Sequence, residues 1–260
     1  MIRIARLCAA LAASLVPCPA ALALDADVKQ LIVSIAPDWN SPSGKLQVFE
    51  RGADGKWTAV SKPVPVLYGK NGLAWGRGVL GTDERGLHKM EHDGRAPAGV
   101  FKIGTIYTYD AKLPDAADYP FHQVTASDAW VDDVTLPEYN KFVTIDPKNP
   151  PPWFEKEKMR LNDFAYRWLV EIRHNADPPV PGDGSAIFFH IRRGTTRTTS
   201  GCTTMAEEDL VNLIRLLRAD KHPEYALLPW SEYLRKWKAW DLPPPGLANQ
   251  LAPSTGSSGK

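Results

Sequence analysis

A histidine and a cysteine lie twelve residues apart in residues 185–217, and their types suit acyl transfer. His190 stands at the end of an apolar run, residues 186–191 (AIFFHI), and Cys202 follows a short basic loop rich in threonine. A thiol attacks acyl groups as the thiolate, which a nearby imidazole generates by accepting the thiol proton. The apolar run is typical of a buried strand. The spacing therefore predicts a thiol–imidazole pair that meets across one loop.

The neighbours of Cys202 predict how the thiol is activated. Thr204 and Glu207 have the spacing of a helix capping box, and an apolar stripe at helical spacing follows them. The stripe consists of Leu210, Leu213, Ile214 and Leu217. A helix that begins at about Thr204 would place the positive end of its dipole beside the thiol. The amides of Gly201 and Cys202 could donate to a developing oxyanion.

Two arginines, Arg192 and Arg193, follow the histidine directly. A guanidinium can bind a substrate carboxylate through two parallel hydrogen bonds, which would make these residues part of a binding site. The alternative is that both are solvated loop charges. The sequence leaves these two interpretations open.

The first 23 residues have the pattern of a secretory signal peptide. Arg3 and Arg6 precede an apolar run over residues 7–16, and small residues stand at positions −3 and −1 of a cut after Ala23. That run is too short to span a bilayer, and no other stretch is long enough. A lipoprotein signal at Cys18 is the alternative, but proline stands where that signal needs a small residue. We therefore expect an exported protein without a transmembrane segment.

Cleavage after residue 23 leaves Cys202 as the single cysteine, because Cys8 and Cys18 are removed. An unpaired thiol is a liability in an oxidising compartment unless it is used, although a buried inert cysteine is the alternative. Cleavage also removes two of the 31 basic residues and none of the 30 acidic ones, which leaves a formal net charge of −1. This balance argues against nucleic acid or an anionic membrane as the main partner.

The strand and turn patterns of residues 24–240 predict one mainly β domain with a few peripheral helices. Short strand patterns alternate with turns, as in residues 30–36 and 45–50, and 23 prolines and 19 glycines disfavour a helical bundle. Residues 110–160 mix aromatic and acidic residues, so they form either a lid or cleft wall, or a surface excursion packed on its own aromatics. Residues 241–260 are expected to form a flexible tail rich in proline, glycine and serine.

His88 and His92 lie four residues apart, a spacing that suits two metal ligands on a helix. Gly86, Gly94 and Pro97 disfavour a helix here, and the sequence contains no His-Glu-x-x-His motif. We therefore expect no metal site and no other cofactor.

Three patterns follow one another along the chain: residues 94–101 (GRAPAGVF), 185–190 (SAIFFH) and 199–202 (TSGC). In this order they resemble the YkuD-type L,D-transpeptidases, bacterial enzymes that cross-link the cell wall. The first is similar to the G-x-T-P-x-G-x-F strand entry of that family, the second to the strand that bears its histidine, and the third to its nucleophile motif. The resemblance covers roughly residues 30–230.

The resemblance implies a β-sandwich-like catalytic domain that uses no metal, and the predicted signal peptide places this domain in the periplasm. Cys202 would attack a donor stem peptide of peptidoglycan, release its terminal D-residue, and pass the acyl group to an acceptor amine on another stem peptide. His190 would be the base, oriented by a backbone carbonyl, and the Gly201 and Cys202 amides would form the oxyanion hole. Inhibitors of the carbapenem type would acylate the same thiol.

The chain departs from the commoner S/T-H-G-C-x-N motif of the family at Ser200 and Thr204. It is more similar to the proteobacterial branch, which has a T-x-G-C motif and a larger insertion. We expect substrate contacts from the arginine pair, from Ser200 and Thr203 in the loop, and from four residues of the insertion. These four are Trp130, Asp133, Tyr139 and Asn140.

Two other functions stay open at this stage. An L,D-carboxypeptidase or amidase-like hydrolase would share the acyl-enzyme and use water as the acceptor. A catalytically inactive peptidoglycan-binding protein would not need the thiol at all. The sequence also leaves open whether cross-links of the 3–3 or the 1–3 type are made.

Overall fold

A computed structural model describes residues 23–253, so all but the last residue of the predicted signal peptide lies outside it. Within these residues strands far outnumber helices, with 13 strands against three short α-helices, which confirms the predicted mainly β class. The strands are β1 (Gln30–Ala36), β2 (Ser43–Arg51), β3 (Trp57–Ala59), β4 (Val64–Leu67), β5 (Leu73–Trp75), β6 (Ala96–Thr108), β7 (Phe121–Gln123), β8 (Asp128–Trp130), β9 (Phe142–Thr144), β10 (Trp168–Ile172), β11 (Phe188–Ile191), β12 (Thr203–Met205) and β13 (Glu224–Pro229). The helices are α1 (Phe154–Glu157), α2 (Glu207–Leu216) and α3 (Trp230–Lys236).

Eight of the strands close into a ring. Their order is β1-β13-β6-β10-β11-β12-β4-β2, and β2 pairs back with β1 in antiparallel register. Two neighbouring pairs in the ring are parallel, β1 with β13 and β11 with β12. Closure pairs the edges that an open sheet would expose. The short strands β3, β5 and β7 add to this ring, whereas β8 and β9 form a separate ladder.

The aliphatic side chains of β1 and β13 lie at the centre of the core. All seven residues of β1 and all six of β13 are buried, as expected for strands that are covered on both faces. Full burial of one such side chain stabilises the fold by about 1.5–3 kcal/mol. The long strand β6 crosses the same core, and Gly99 in its first half has φ +137°, where an added Cβ would lie 2.5 Å from the Leu80 carbonyl oxygen.

The segment after α3 packs on the ring instead of extending into solvent. Leu242, Ala248 and Leu251 are at most 2% exposed, and the Trp57 indole donates to the Asp241 carbonyl at 2.9 Å. The prediction of a flexible tail is therefore wrong for residues 241–253, because three apolar side chains among the prolines reach the core. Residues 254–260 lie outside the described residues.

The predicted insertion, residues 110–160, supplies β7, β8, β9 and α1. Its apolar side chains form a second cluster with side chains of β6, β10 and β11. Members of this cluster include Tyr107, Val124, Trp130, Phe142, Met159, Leu169 and Phe188. Part of the insertion thus packs directly beneath β11, the strand that carries His190.

No helix in residues 23–253 combines the length and the apolar character required to cross a membrane.

Candidate active site

His190 and Cys202 are brought together by the parallel pairing of β11 with β12. His190 lies in register with Thr204, two residues beyond Cys202 on the neighbouring strand. Both side chains line one pocket of about 510 Å³. The intervening loop therefore returns the chain to lie beside β11, the strand that it has just left.

The imidazole of His190 is held as a proton acceptor. Its Nδ1 lies 2.9 Å from the Ile191 carbonyl oxygen, which can only accept, so Nδ1 carries the proton and Nε2 keeps its lone pair. The Tyr166 ring meets the imidazole edge-on, with ring centroids 5.3 Å apart. Burial disfavours the imidazolium and lowers the pKa of His190 to about 4, so the ring is neutral at pH 7.

The Cys202 side chain is a thiol in this environment. Its sulfur donates to the Ala186 carbonyl oxygen at 3.4 Å. Burial raises the pKa of Cys202 to about 11, although the Phe188 backbone and the charges of Lys89 and Arg193 act in the opposite direction. Both members of the pair are therefore neutral, with the proton on the Cys202 sulfur and a lone pair on Nε2 of His190.

The predicted capping box at Thr204 is wrong. Thr203–Met205 forms strand β12, and α2 begins only at Glu207, with Ala206 as its N-cap. The Thr204 hydroxyl is buried without a hydrogen-bond partner, whereas a cap would bond a helix amide. The ring needs a strand here, between β11 and β4, and that requirement overrides the local helix signal. The thiol consequently does not lie at a helix N-terminus.

Thr199 fixes the loop on the approach to Cys202. Its hydroxyl accepts from the Gly201 amide at 3.1 Å and donates to the Cys202 carbonyl at 2.7 Å. The Gly201 amide is thus engaged within the loop, so an oxyanion role for it requires that this bond is released. The matching role of the Cys202 amide stays a prediction. In a known turn motif, a threonine hydroxyl accepts from the backbone amide two residues later. The position of Thr199, two residues before Gly201, would have indicated this contact.

The model of the YkuD family, described as the L,D-transpeptidase catalytic domain, matches residues 38–223. This span is well over half of the chain and includes both His190 and Cys202. The chain belongs to the YkuD family. No match is found among curated proteins or among solved structures. The proteobacterial branch with the T-x-G-C motif stays a prediction.

Of the two arginines, only Arg193 lines the pocket of this YkuD domain. Its guanidinium pairs with the Asp163 carboxylate and lies 4.7 Å above the Tyr166 ring. Arg192 faces α2, where its charge acts on the Asp209 carboxyl, and its amide donates to the Met205 carbonyl at 2.8 Å. Of the two arginines predicted to bind a substrate carboxylate, only Arg193 therefore remains a candidate.

The predicted loop contacts divide in the same way. Ser200 is exposed and lines the pocket. Thr203 is 1% exposed, and its hydroxyl lies 3.1 Å from the Tyr225 hydroxyl inside the ring, so its assignment to substrate binding is wrong. Thr203 belongs to β12, and its side chain points to the core.

The four predicted contacts from the insertion do not line the pocket. Asp133 accepts hydrogen bonds from Thr135 in its own turn. Tyr139 and Asn140 are buried, and the Trp130 indole donates to the Asn140 side chain at 3.2 Å. The assignment of these four residues as substrate contacts is wrong in this structure.

Asn140 uses its whole amide to connect the insertion to the segment that leads into β11. Its Oδ1 accepts from the Ala186 amide at 3.0 Å, and its Nδ2 donates to the carbonyls of His174 and Asn175 at 3.0 and 2.7 Å. The Ala186 carbonyl in turn accepts from the Cys202 thiol. The insertion therefore helps to position Ala186, the residue whose carbonyl the Cys202 thiol contacts.

Several pocket residues were missed by sequence reasoning. They are Lys70, Lys89, Glu91, His92, Asp132, Tyr166 and Arg197. One signal was available, because Gly69 and Gly94 both precede charged or polar turns. An added Cβ on Gly69 would lie 2.4 Å from the Gly94 carbonyl oxygen, and this close approach brings the two turns together beside the pocket.

A larger cavity of about 790 Å³ lies elsewhere on the domain, lined by Trp39, Trp75, Arg95 and Trp240 among others. It contains neither His190 nor Cys202, so the smaller pocket is the candidate active site on chemical grounds. Within residues 23–253 no group of three or more His, Cys, Asp or Glu residues is arranged to hold a metal ion.

Proposed function

We propose that the chain is a peptidoglycan L,D-transpeptidase with Cys202 as the nucleophile and His190 as the general base. The observation that carries the proposal is that an imidazole with a free Nε2 lone pair and a thiol line the same pocket. Family membership supports the acyl-transfer chemistry in general terms. The substrate, the acceptor and the roles of individual residues are our inference.

In the first half-reaction, Nε2 of His190 accepts the thiol proton while sulfur attacks the carbonyl carbon of the donor stem peptide. A C–S bond forms, and the carbonyl oxygen becomes an oxyanion. When the oxyanion collapses, the C–N bond breaks and His190 returns the proton to the departing amine of the terminal D-residue. The products are a thioester on Cys202 and a free D-amino acid.

In the second half-reaction, an amine of an acceptor stem peptide attacks the thioester. His190 accepts a proton from that amine, the C–S bond breaks, and the proton passes to the sulfur, which restores the thiol. The donor and acceptor are then joined by a new amide. Water in place of the amine gives a trimmed stem peptide instead, which is the L,D-carboxypeptidase alternative.

The charges around the pocket suit stem peptides, which carry both carboxylates and an amine. The cations Lys70, Arg193 and Arg197 line one pocket with the acids Glu91 and Asp132. Such groups select and orient a substrate that carries both signs of charge. We therefore place the donor peptide across this pocket.

Incubation of the full chain with defined muropeptides, followed by mass spectrometry, tests the proposal. We expect cross-linked dimers from the wild type and at least about a 10³-fold slower reaction from Cys202→Ser, which keeps a hydrogen-bond donor but loses the thiol. Thr58→Ala, distant from the pocket, is the control for handling. Trimmed monomers alone would indicate the carboxypeptidase. If the protein neither converts muropeptides nor forms a carbapenem adduct on Cys202, it is an inactive binding protein.

We also propose that the protein works in the periplasm. The basic start, the apolar run and the small residues before residue 24 support export. Cell fractionation with N-terminal sequencing tests this, and a mature protein that begins at Leu24 in the periplasmic fraction is the expected result. Retention of the uncut chain in the cytoplasm would contradict it.

A further inference from the structure

A buried lysine lies beside the nucleophile. Lys89 is 4% exposed, and its backbone amide donates to the Trp75 carbonyl at 2.8 Å, which fixes it next to β5. Its ammonium donates to the Met90 carbonyl and to the Asp93 carboxylate, both at 2.6 Å. Lysine is rarely buried to this extent unless it is paired, and the Asp93 carboxylate supplies that pair.

Two glycines allow the lysine to approach the nucleophile loop. A Cβ on Gly201, the residue before Cys202, would lie 3.5 Å from Cε of Lys89. A Cβ on Gly184 would lie 2.9 Å from Cγ of the same lysine. Lys89 and Cys202 both line the pocket. The ammonium end of Lys89 therefore lies against the backbone that carries the thiol.

The carboxylate partner of Lys89 is not part of the pocket lining. Asp93 is not among the residues that line the pocket. Its Oδ1 also accepts from the Arg95 amide at 2.8 Å, and its Oδ2 accepts from the Met90 amide at 2.9 Å. Backbone donors thus share the negative charge, and the ion pair presents its positive end to the pocket.

The other ionisable groups around the pocket do not duplicate this arrangement. The ionisable groups that line the pocket with Lys89 and Cys202 are Lys70, Glu91, His92, Asp132, Tyr166, His190, Arg193 and Arg197. Among the cations, Lys70 and Arg197 are exposed, and Arg193 is paired with Asp163. Lys89 is the most deeply buried cation of this set, and a charge in a dry environment acts more strongly than one in water.

We propose that the buried ammonium of Lys89 stabilises the negative charge that forms on the Cys202 sulfur and on the oxyanion. The inference rests on the proposed nucleophilic role of Cys202. It answers a need that the site creates, because no helix N-terminus lies beside the thiol to stabilise that negative charge. Pre-oriented charges of this kind lower the barrier of acyl transfer.

Titration of the Cys202 thiolate by ultraviolet absorbance tests the proposal independently of transpeptidase activity. Each full-length variant is compared with the same variant carrying Cys202→Ser, so that tyrosine and other cysteine signals cancel. In Lys89→Met we expect the titration to move up by about one pH unit, which is about a tenfold smaller thiolate fraction at a given pH. Lys89→Arg should stay close to the wild type, as should Lys62→Met, an exposed lysine outside the pocket.

Asp93→Asn separates an electrostatic role from a structural one. Loss of the negative charge leaves the ammonium less compensated, so the titration should move down, opposite to Lys89→Met. If Lys89 only held the loop in place, the two variants would not shift the titration in opposite directions. The proposal is overturned if the pH midpoint of the thiolate titration is unchanged in folded Lys89→Met, or if it shifts equally in Lys89→Met and Lys89→Arg. If Lys89→Met does not fold, an unchanged or raised midpoint in Asp93→Asn overturns it instead.

The same data distinguish this inference from the proposed function. A shifted titration with no product from muropeptides would refute the transpeptidase and retain the effect of Lys89 on the thiol. Cross-linking activity with an unshifted titration would retain the transpeptidase and refute the role of Lys89.

Discussion

Burial opposes charge on both reactive side chains of the pocket, His190 and Cys202. The imidazole has a pKa of about 4 and the thiol a pKa of about 11, so each is in its neutral form across the physiological range. This differs from a preformed thiolate–imidazolium pair, in which the thiol is the stronger acid. In the proposed reaction, proton transfer is then part of the attack on the substrate, and the Ile191 carbonyl keeps the ring in the tautomer that this transfer needs.

The pH dependence of acylation follows from these directions. His190 acts as a base only when it is unprotonated, so the rate of carbapenem acylation should rise through about pH 4 and then stay level from about pH 6 to 9. The measurement is adduct formation on Cys202 by mass spectrometry in a series of buffers. A rising limb near pH 6.5, the pKa of a free imidazole, or thiolate absorbance at pH 7 would contradict the neutral pair.

At the scale of elements, the start of α2 shows why a local signal failed. Thr204 and Glu207 match a capping box, but the gap between β11 and β4 is filled by Thr203–Met205. β-branched residues such as threonine suit a strand as well as a cap. Only the pairing with a distant strand decides between the two, and no local window contains that information.

Substitutions at the two possible cap positions test this correction. Thr204→Val removes a buried hydroxyl without a partner, so stability should stay the same or rise by up to about 1 kcal/mol. Ala206→Ser adds a side-chain cap at the observed N-cap and should stabilise by about 1 kcal/mol. Urea unfolding measures both. If Thr204→Val lowers the free energy of unfolding by about 1 kcal/mol and Ala206→Ser does not raise it, Thr204 is the N-cap of the helix after all.

The insertion contributes to the site through Asn140 rather than through exposed aromatics. Asn140→Asp keeps the shape but loses the Nδ2 donor, which leaves the carbonyls of His174 and Asn175 without it. We expect a loss of about 2–4 kcal/mol in the free energy of unfolding, together with slower acylation of Cys202. Asn149→Asp, in an exposed turn of the same insertion, is the matched control. Equal unfolding energies for the two variants would show that the link is unimportant.

At the scale of the whole molecule, the sequence predicted the local strands and turns, but it did not predict the strand pairings between residues far apart in the chain. The hairpin of β1 and β2, the buried strand before His190 and the return of the chain to Cys202 follow from periodicity and turn residues. The pairing of β1 with β13 joins residues almost two hundred positions apart, and no motif encodes it. The roles of Lys89 and Asn140 depend on such closure, so they became visible only in the structure.

The C-terminal segment shows the same dependence, and its contribution to stability is measurable. Leu251 is 2% exposed in the core cluster that includes β1, although prolines and a glycine precede it closely in the sequence. Leu251→Ala should lower the free energy of unfolding by about 2–5 kcal/mol, because it removes buried aliphatic surface and leaves a cavity. Asn249→Ala, in the same short 3₁₀ helix but exposed, should change it by less than about 0.5 kcal/mol. Both variants should acylate at the wild-type rate where they are folded, since neither residue lines the pocket. Equal unfolding energies for the two variants would mean that residues 241–253 behave as the flexible tail that composition alone predicts.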